Sequence, residues 1–264
     1  MFDRWLHSEL VQQPGGDLSY EALVDSGRLS EDELLDCLGR EVARNYIRPN
    51  ELALVFDDLG APEVATYVRT NKFPATVRVR HGDFGEIVTG ALYRRVRRWC
   101  VPILKLRWKQ TAGQAVQGTD VLAFRFREDP PVIAVPEVKT RATRKKALGQ
   151  EAYASLEKVM DRLDESIHFA MARCSEAGPE FLVGHLAGLL RRPGHRVVER
   201  HMVFVHDTKT WKDDVVTLLA GVVQQRTELT VVKIPGLQDF VARVYKVAET
   251  GPSLAGKNGK GAGQ

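Results

Sequence analysis

Cysteine is scarce in this sequence, and a long apolar run is missing. The 264 residues include only Cys37, Cys100 and Cys174, which are far apart and form no CxxC pair. Their spacing indicates neither a zinc module nor a disulfide framework, and favours free thiols in a reducing compartment. No segment approaches the roughly 18 apolar residues of a membrane-spanning helix, and the N-terminus MFDRWLHSEL lacks the apolar stretch of a signal peptide. We therefore expect a soluble cytoplasmic protein with no membrane partner.

A large excess of one sign of charge is also missing. The 38 Lys and Arg residues exceed the 34 Asp and Glu residues by only four, which permits a nucleic-acid partner without requiring one. The basic residues nevertheless fall into three clumps: Arg94, Arg95, Arg97 and Arg98; Arg141, Arg144, Lys145 and Lys146; and Arg191, Arg192 and Arg196. One such clump is more typical of a solvated surface than of a binding site, whereas three around one site would indicate a nucleic-acid surface.

The order of helical and strand-like patterns predicts an α/β fold of the mixed α+β kind. Apolar residues at 84, 87, 88, 91 and 92 indicate an amphipathic helix. The patterns that follow are three strands at 101–109, 119–126 and 132–139, a long helix over about 144–174, a strand at 201–205, a helix near 208–221, a strand at 229–234 and a helix over about 236–248. This order predicts a mixed sheet with helices on its faces.

The chain divides into three parts by composition and pattern. Residues 76–249 carry the sharp patterns, so we assign them to a core domain. Residues 1–75 are assigned to an N-terminal accessory or partner-docking region, which contains a Ser-capped helix at Ser30–Arg44 and a short strand at 51–59. Residues 250–264 are rich in Gly and Lys, which predicts a disordered tail.

Three charges stand at the open end of the hairpin predicted for 119–126 and 132–139. They are Asp120, Glu137 and Lys139, and alternation along a strand places each on the apolar face of its strand. The consecutive prolines 130 and 131 belong in the loop, because proline cannot donate to a central ladder. A symmetric hairpin then pairs residues whose numbers add up to 257, so Asp120 stands opposite Glu137 with Cβ atoms roughly 5 Å apart.

Two carboxylates this close on an apolar face destabilise the fold unless a cation neutralises them. Mg²⁺, with Mn²⁺ as a substitute, is the hard cation that suits carboxylate and phosphate oxygens. Lys139 lies one step beyond Glu137 on the same face, where it would orient or help deprotonate a water at the metal. The set predicts phosphodiester hydrolysis, and the alternative is an Asp–Lys–Glu ion-pair cluster that only stabilises the strand ends.

The motif Gly118-Thr119-Asp120 followed by Glu137-Val138-Lys139 resembles that of the PD-(D/E)xK nuclease superfamily. The order α-β-β-β-α-β resembles the restriction-endonuclease-like core of those enzymes. The segments RHGDFGEIVTGAL, PILKLRWKQ, GTDVLAF and PEVKTRAT resemble HamA, the nuclease-like subunit of the Hachiman anti-phage system, over roughly residues 80–250. The resemblance implies a Mg²⁺-dependent deoxyribonuclease that acts in bacterial defence with a HamB-like superfamily 2 helicase.

The resemblance also implies roles for individual residues. Asp120 and Glu137 match the metal ligands, the Val138 carbonyl matches a third ligand, and Lys139 matches the catalytic lysine. Glu86 matches an additional acidic residue that many such nucleases carry on the first core helix. For Glu86 the sequence offers an alternative, since Asp83 and Glu86 have the spacing of a capping box at a helix start.

The basic clump directly after the motif is the candidate DNA-binding surface, comprising Arg141, Arg144, Lys145 and Lys146. Such side chains contact the phosphate backbone, and nothing in the sequence indicates base-specific readout, so we expect cutting without sequence preference. Two other functions remain open: a degenerate nuclease fold that binds DNA or docks a helicase, and a stand-alone repair or restriction nuclease. The intact Asp120, Glu137 and Lys139 set argues against the first.

Overall fold

A six-stranded mixed sheet forms the centre of the computed structural model, which describes residues 2–47, 71–114, 116 and 118–250 and the single positions 60, 63 and 67. The strands are β1 (Leu6–Gly15), β2 (Leu18–Asp25), β3 (Ala123–Arg125), β4 (Val132–Arg141), β5 (Val197–Asp207) and β6 (Thr227–Ile234). Their order in the sheet is β1-β2-β6-β5-β4-β3. The four inner strands are parallel, and the two edge strands β1 and β3 are antiparallel to their neighbours. The prediction of a mixed α/β sheet is confirmed.

Helices cover both faces of this sheet. In the described residues they are α1 (Phe2–Trp5), α2 (Glu31–Tyr46), α3 (Val77–Ala91), α4 (Leu148–Met160), α5 (Leu163–Ala177), α6 (Glu180–Arg191), α7 (Asp214–Ala220) and α8 (Leu237–Thr250). One apolar core lies under α2, α3 and α8, and a second lies under α4 to α7. Among the helices of the described part, none has the length and apolarity needed to cross a membrane.

The inner strands are buried on both faces. Residues 132–138 of β4 are all buried, and so are residues 201–207 of β5. Alternate side chains pack into different cores: Met202 and Phe204 lie in the core under α4 to α7, whereas Val205 lies in the core under α2, α3 and α8. Runs of consecutive buried residues, most of them apolar, are typical of central parallel strands.

The hairpin register agrees with the prediction. Ala123 pairs with Ala134, Phe124 with Ile133 and Arg125 with Val132, so every pair of numbers adds up to 257. The strand is shorter than the predicted 119–126, because the ladder with β4 ends at Ala123. Asp120 therefore lies just outside β3 and is not held by strand pairing.

Two other element predictions are wrong. The predicted strand at 101–109 has no regular structure at 101–104 and becomes a 3₁₀ turn at Lys105–Trp108. Only Cys100 bridges to Phe124, and Pro102, which has no N–H, cannot continue that pairing. The long helix predicted for 144–174 is broken into α4 and α5 at Asp161 and Arg162, because Arg162 has non-helical backbone angles.

The N-terminal region joins the same sheet. The cap of α2 is confirmed, since the Ser30 hydroxyl accepts from the Glu33 N–H while the Glu33 carboxylate accepts from the Ser30 N–H. Strand β2 pairs with β6, and α2 packs on α8, so the sheet and one helix layer run through both assigned regions. The division at residue 75 stays a prediction. The predicted strand at 51–59 and the tail from 251 onward lie outside the described residues.

Candidate active site

Helix α3 begins earlier than the capping-box interpretation of Glu86 requires. Its N-cap is Thr76, whose hydroxyl accepts a hydrogen bond from the Val79 N–H at 3.4 Å. Asp83 lies in the second turn and is buried, and its carboxylate accepts hydrogen bonds from the Tyr46 hydroxyl and, at 2.5 Å, from the Lys109 ammonium. The capping-box interpretation is therefore wrong, because tertiary partners rather than free helix N–H groups use the Asp83 carboxylate.

A glycine brings α3 directly onto the motif strand. A Cβ atom at Gly85 would lie 1.9 Å from Thr140 Oγ1 and 3.0 Å from Val138 Cγ1. Both neighbours belong to β4, so a residue larger than glycine fits here only if these side chains, the helix or the strand shift. The close approach fixes the position of Glu86, the next residue on α3, relative to β4.

Asp120 is held against the part of the β4 edge that β3 leaves unpaired. Its Oδ2 atom accepts a hydrogen bond from the Val138 N–H at 2.9 Å. This carboxylate satisfies a strand donor at a position that β3 is too short to reach. Because the N–H and C=O of one strand residue point to the same edge, the Val138 carbonyl also points toward the side where Asp120 lies.

Glu137 and Lys139 meet on one face of β4, as strand alternation predicts. Lys139 Nζ lies 2.6 Å from Glu137 Oε1. Glu137 is buried, whereas the Lys139 side chain is 31% exposed. Burial raises the pKa of Glu137, and the negative charge of Asp120 raises it further against the opposing effect of Lys139.

Glu86 faces the same group of charges from α3. Its Oε2 atom is buried and accepts no hydrogen bond from the part of the chain that the structure describes. Burial raises the pKa of Glu86 to about 8, and the negative charges of Asp120 and Asp83 act in the same direction against the opposing effect of Lys105. The negative charge of Asp120 thus raises the pKa of Glu86 on α3 and also that of Glu137 on β4.

Lys105 is the site residue that the sequence interpretation missed. Its Nζ atom lies 3.6 Å from Glu86 Oε2 and 3.7 Å from Asp120 Oδ1, and it donates a hydrogen bond to the Thr119 carbonyl at 3.2 Å. Only 9% of its side chain is exposed. No signal in the sequence could have placed it here, because residues 101–109 read as a strand and the 3₁₀ turn that carries Lys105 forms only in the fold.

The donor set fits a hard divalent cation in its chemistry. Three carboxylates and a strand carbonyl supply oxygen ligands of the kind that Mg²⁺ binds, and the Glu86 Oε2 atom is a buried acceptor that lacks a donor. Within the described residues, no three Asp, Glu, His or Cys side chains are already close enough to hold an ion. Lys105 is instead the cation in contact with both Glu86 and Asp120.

The basic residues after β4 divide into two kinds. Arg144 forms an ion pair with Asp214, and Lys145 forms one with Glu151 at 2.5 Å. Arg141 is half-buried at the end of β4, and Lys146 is exposed. The other two basic clumps supply ion pairs within the fold, namely Arg94 with Glu41, Arg97 with Glu228 and Arg196 with Asp164.

A model of one protein family, described as HamA, matches residues 1–248 of the chain. The match therefore includes the N-terminal region, whereas the resemblance seen in the sequence covered only roughly residues 80–250. No curated protein matches the chain.

Proposed function

Because the chain belongs to the HamA family and is thereby a subunit of the Hachiman defence system, we propose that it is the nuclease of that system. The reaction is metal-dependent hydrolysis of DNA phosphodiester bonds without sequence preference. The observation that carries the proposal is the convergence of Asp120, Glu137 and Lys139 at the edge of β4, with Glu86 facing them from α3.

In this proposal each side chain has a defined task. Asp120, Glu137, Glu86 and the Val138 carbonyl would hold Mg²⁺ or Mn²⁺. The bound ion would polarise the phosphate and lower the pKa of an attacking water. The Val138 N–H holds the Asp120 carboxylate in place, and the half-exposed Lys139 ammonium is able to donate a hydrogen bond to a water or a phosphate oxygen while Glu137 stays buried.

The proposed nuclease requires restraint, since a free DNA-cutting activity would damage the host genome. We assign this restraint to a HamB-like superfamily 2 helicase, which would release the nuclease on meeting foreign or damaged DNA. Residues 1–75 are the candidate docking region for that partner.

A plasmid degradation assay tests the function and the restraint together. The chain alone is expected to degrade plasmid DNA with Mg²⁺ or Mn²⁺ and to lose this activity when EDTA removes the metal. Addition of the helicase is expected to suppress the degradation. No degradation with either metal, with or without the helicase, would instead favour a DNA-binding or helicase-docking module. Equal cutting with and without the helicase would refute the restraint alone.

The DNA path is proposed to follow Arg141, Arg144, Lys145 and Lys146, and two neighbouring lysines allow a matched test. Lys146→Gln is expected to reduce the slope of log affinity against log salt by about one, because its exposed ammonium is available to a phosphate. Lys145→Gln is expected to change the slope less, because Glu151 already neutralises that ammonium. Fluorescence anisotropy of labelled duplex DNA in EDTA, at several salt concentrations, measures both slopes. A larger loss for Lys145→Gln than for Lys146→Gln would contradict the proposed path.

A further inference from the structure

The ammonium group of Lys105 is buried beside two carboxylates that the candidate metal site would use as ligands. Lys105 Nζ lies within 4 Å of one oxygen of Glu86 and one of Asp120. Neither distance is short enough for a hydrogen bond, and within the described residues this ammonium donates one hydrogen bond, to the Thr119 carbonyl. The contact is therefore one of charge compensation rather than a tightly fitted ion pair.

From this geometry we infer that Lys105 is the resident counter-ion of Glu86 and Asp120, that it competes with the divalent metal for their carboxylates, and that it leaves them when the metal binds. The inference deepens the proposed function and rests on the metal site assigned there. Lys105 thereby has a role different from that of Lys139, which is half-exposed and contacts Glu137.

Charge balance favours an exchange over simple addition of the metal. Carboxyl groups must lose their protons to ligate a metal, so as ligands Glu86, Asp120 and Glu137 together carry three negative charges, while Lys105 and Lys139 carry two positive charges. A divalent ion added beside both lysines would leave one positive charge in a poorly solvated site. A divalent ion that takes the place of Lys105 leaves the site neutral, which is the less costly arrangement when charges are buried.

The surroundings of Lys105 provide room for the exchange. The cavity at the ammonium is lined by Lys105 itself with Glu86 and Asp120, and it extends past the polar residues Asn45 and Ser166 and the apolar residues Ile103 and Phe169. Lys105 opens a 3₁₀ turn and follows a segment without regular structure. A lysine has a flexible four-carbon stem, so its ammonium can move several ångströms while the backbone keeps its place.

Calorimetric titration of the full chain with Mn²⁺ and with Mg²⁺ tests the competition. Lys105→Met keeps most of the length of the side chain but removes its charge, and is expected to tighten metal binding by about tenfold or more, since a unit charge within 4 Å of the ligands disappears. Lys233→Met is the control, because it removes a lysine that is 15% exposed and pairs with Glu9 rather than with Glu86 or Asp120. The control is expected to change metal affinity by less than about threefold. Unchanged or weaker binding by Lys105→Met would overturn the inference.

A second measurement uses the unaltered chain and does not depend on whether the variants fold. Lysine acetylation read by mass spectrometry is expected to modify Lys105 faster in Mg²⁺ than in EDTA, while modification of Lys109 stays constant. A rate at Lys105 that is unchanged or lower in Mg²⁺ refutes the exchange. If the unaltered chain binds metal but Lys105 does not respond, the inference alone fails. If neither the unaltered chain nor Lys105→Met binds metal, the metal-dependent function fails with it.

Discussion

Glu137→Gln is expected to lower metal-dependent DNA degradation by roughly a thousandfold or more, because loss of a metal ligand removes several kcal/mol of transition-state stabilisation. The same substitution is expected to leave the unfolding temperature unchanged or to raise it. The measurements are the rate of plasmid degradation in Mg²⁺ and a thermal melt followed by circular dichroism.

The expected gain in stability follows from the sign of the pKa shift. Burial and the charge of Asp120 raise the pKa of Glu137 above its value in the unfolded chain. A group with a raised folded pKa favours folding below its unfolded pKa, and that contribution is lost as the pH rises through the folded pKa. Near neutral pH, which lies above the unfolded pKa of a Glu side chain, Glu137 therefore opposes folding relative to an uncharged side chain such as the amide of Gln. The half-exposed Lys139 loses its partner at little cost, because solvent screens it.

The matched control is Glu157→Gln, which removes a half-exposed carboxylate that pairs with Arg200 on β5. This variant is expected to cut DNA at the rate of the unaltered chain. If Glu137→Gln cuts equally well, the site assignment is wrong. If Glu137→Gln instead unfolds at a markedly lower temperature, Glu137 stabilises the fold as part of an Asp–Lys–Glu ion-pair cluster, which is the alternative that the sequence allowed.

Gly85→Ala is expected to lower the free energy of unfolding by about 2–3 kcal/mol, at the upper end of the usual overpacking range. The new methyl group would lie 1.9 Å from Thr140 Oγ1 and would also meet Val138 Cγ1. Because Val138 Cγ1 at 3.0 Å and Thr140 Cβ at 3.3 Å also crowd the new methyl group, α3 and β4 are expected to move apart and to shift Glu86 relative to Asp120. We therefore expect DNA degradation to fall as well, even at temperatures where the variant stays folded. Urea unfolding followed by circular dichroism and the plasmid assay measure the two effects.

Two further variants isolate the steric cause. Gly90→Ala on the same helix adds a methyl group that meets no atom within 4 Å, so it is expected to stabilise the fold by up to about 1 kcal/mol through helix propensity. The double variant Gly85→Ala/Thr140→Ala removes the clashing hydroxyl, which is buried and makes no hydrogen bond. It is expected to regain much of the lost stability and activity. Equal stabilities for Gly85→Ala and Gly90→Ala would contradict the close approach of α3 to β4.

Local rules were sufficient for the parts of the site that lie on one strand pair. The proline pair indicated the loop, the loop set the register of β3 on β4, and strand alternation put Glu137 and Lys139 on one face. The cap of α2 followed in the same way from the spacing of Ser30 and Glu33. These features depend on residues close together in the chain, so a sequence pattern carries them directly.

The start of α3 shows where local rules fail. Asp83 and Glu86 satisfy the spacing of a capping box, yet the Asp83 carboxylate is used by Tyr46 and Lys109, which are 37 and 26 residues away in the chain. A buried carboxylate paired with a hydroxyl and an ammonium is compatible with a helix interior, so the helix extends back to Thr76. Only the packing of α2 and of the 3₁₀ turn region against α3 supplies those partners.

The sequence by itself determined the motif strand, its register and the shared face of Glu137 and Lys139. Side-chain direction in a strand alternates with every residue, so it depends only on residues that are close together in the chain. The tertiary structure decided that Glu86 and Asp120 come together around the Lys105 ammonium. Those contacts join segments that are separate in the chain. They arise because Gly85 lets α3 touch β4 and because residues 101–108 leave the strand conformation that their apolar pattern predicts.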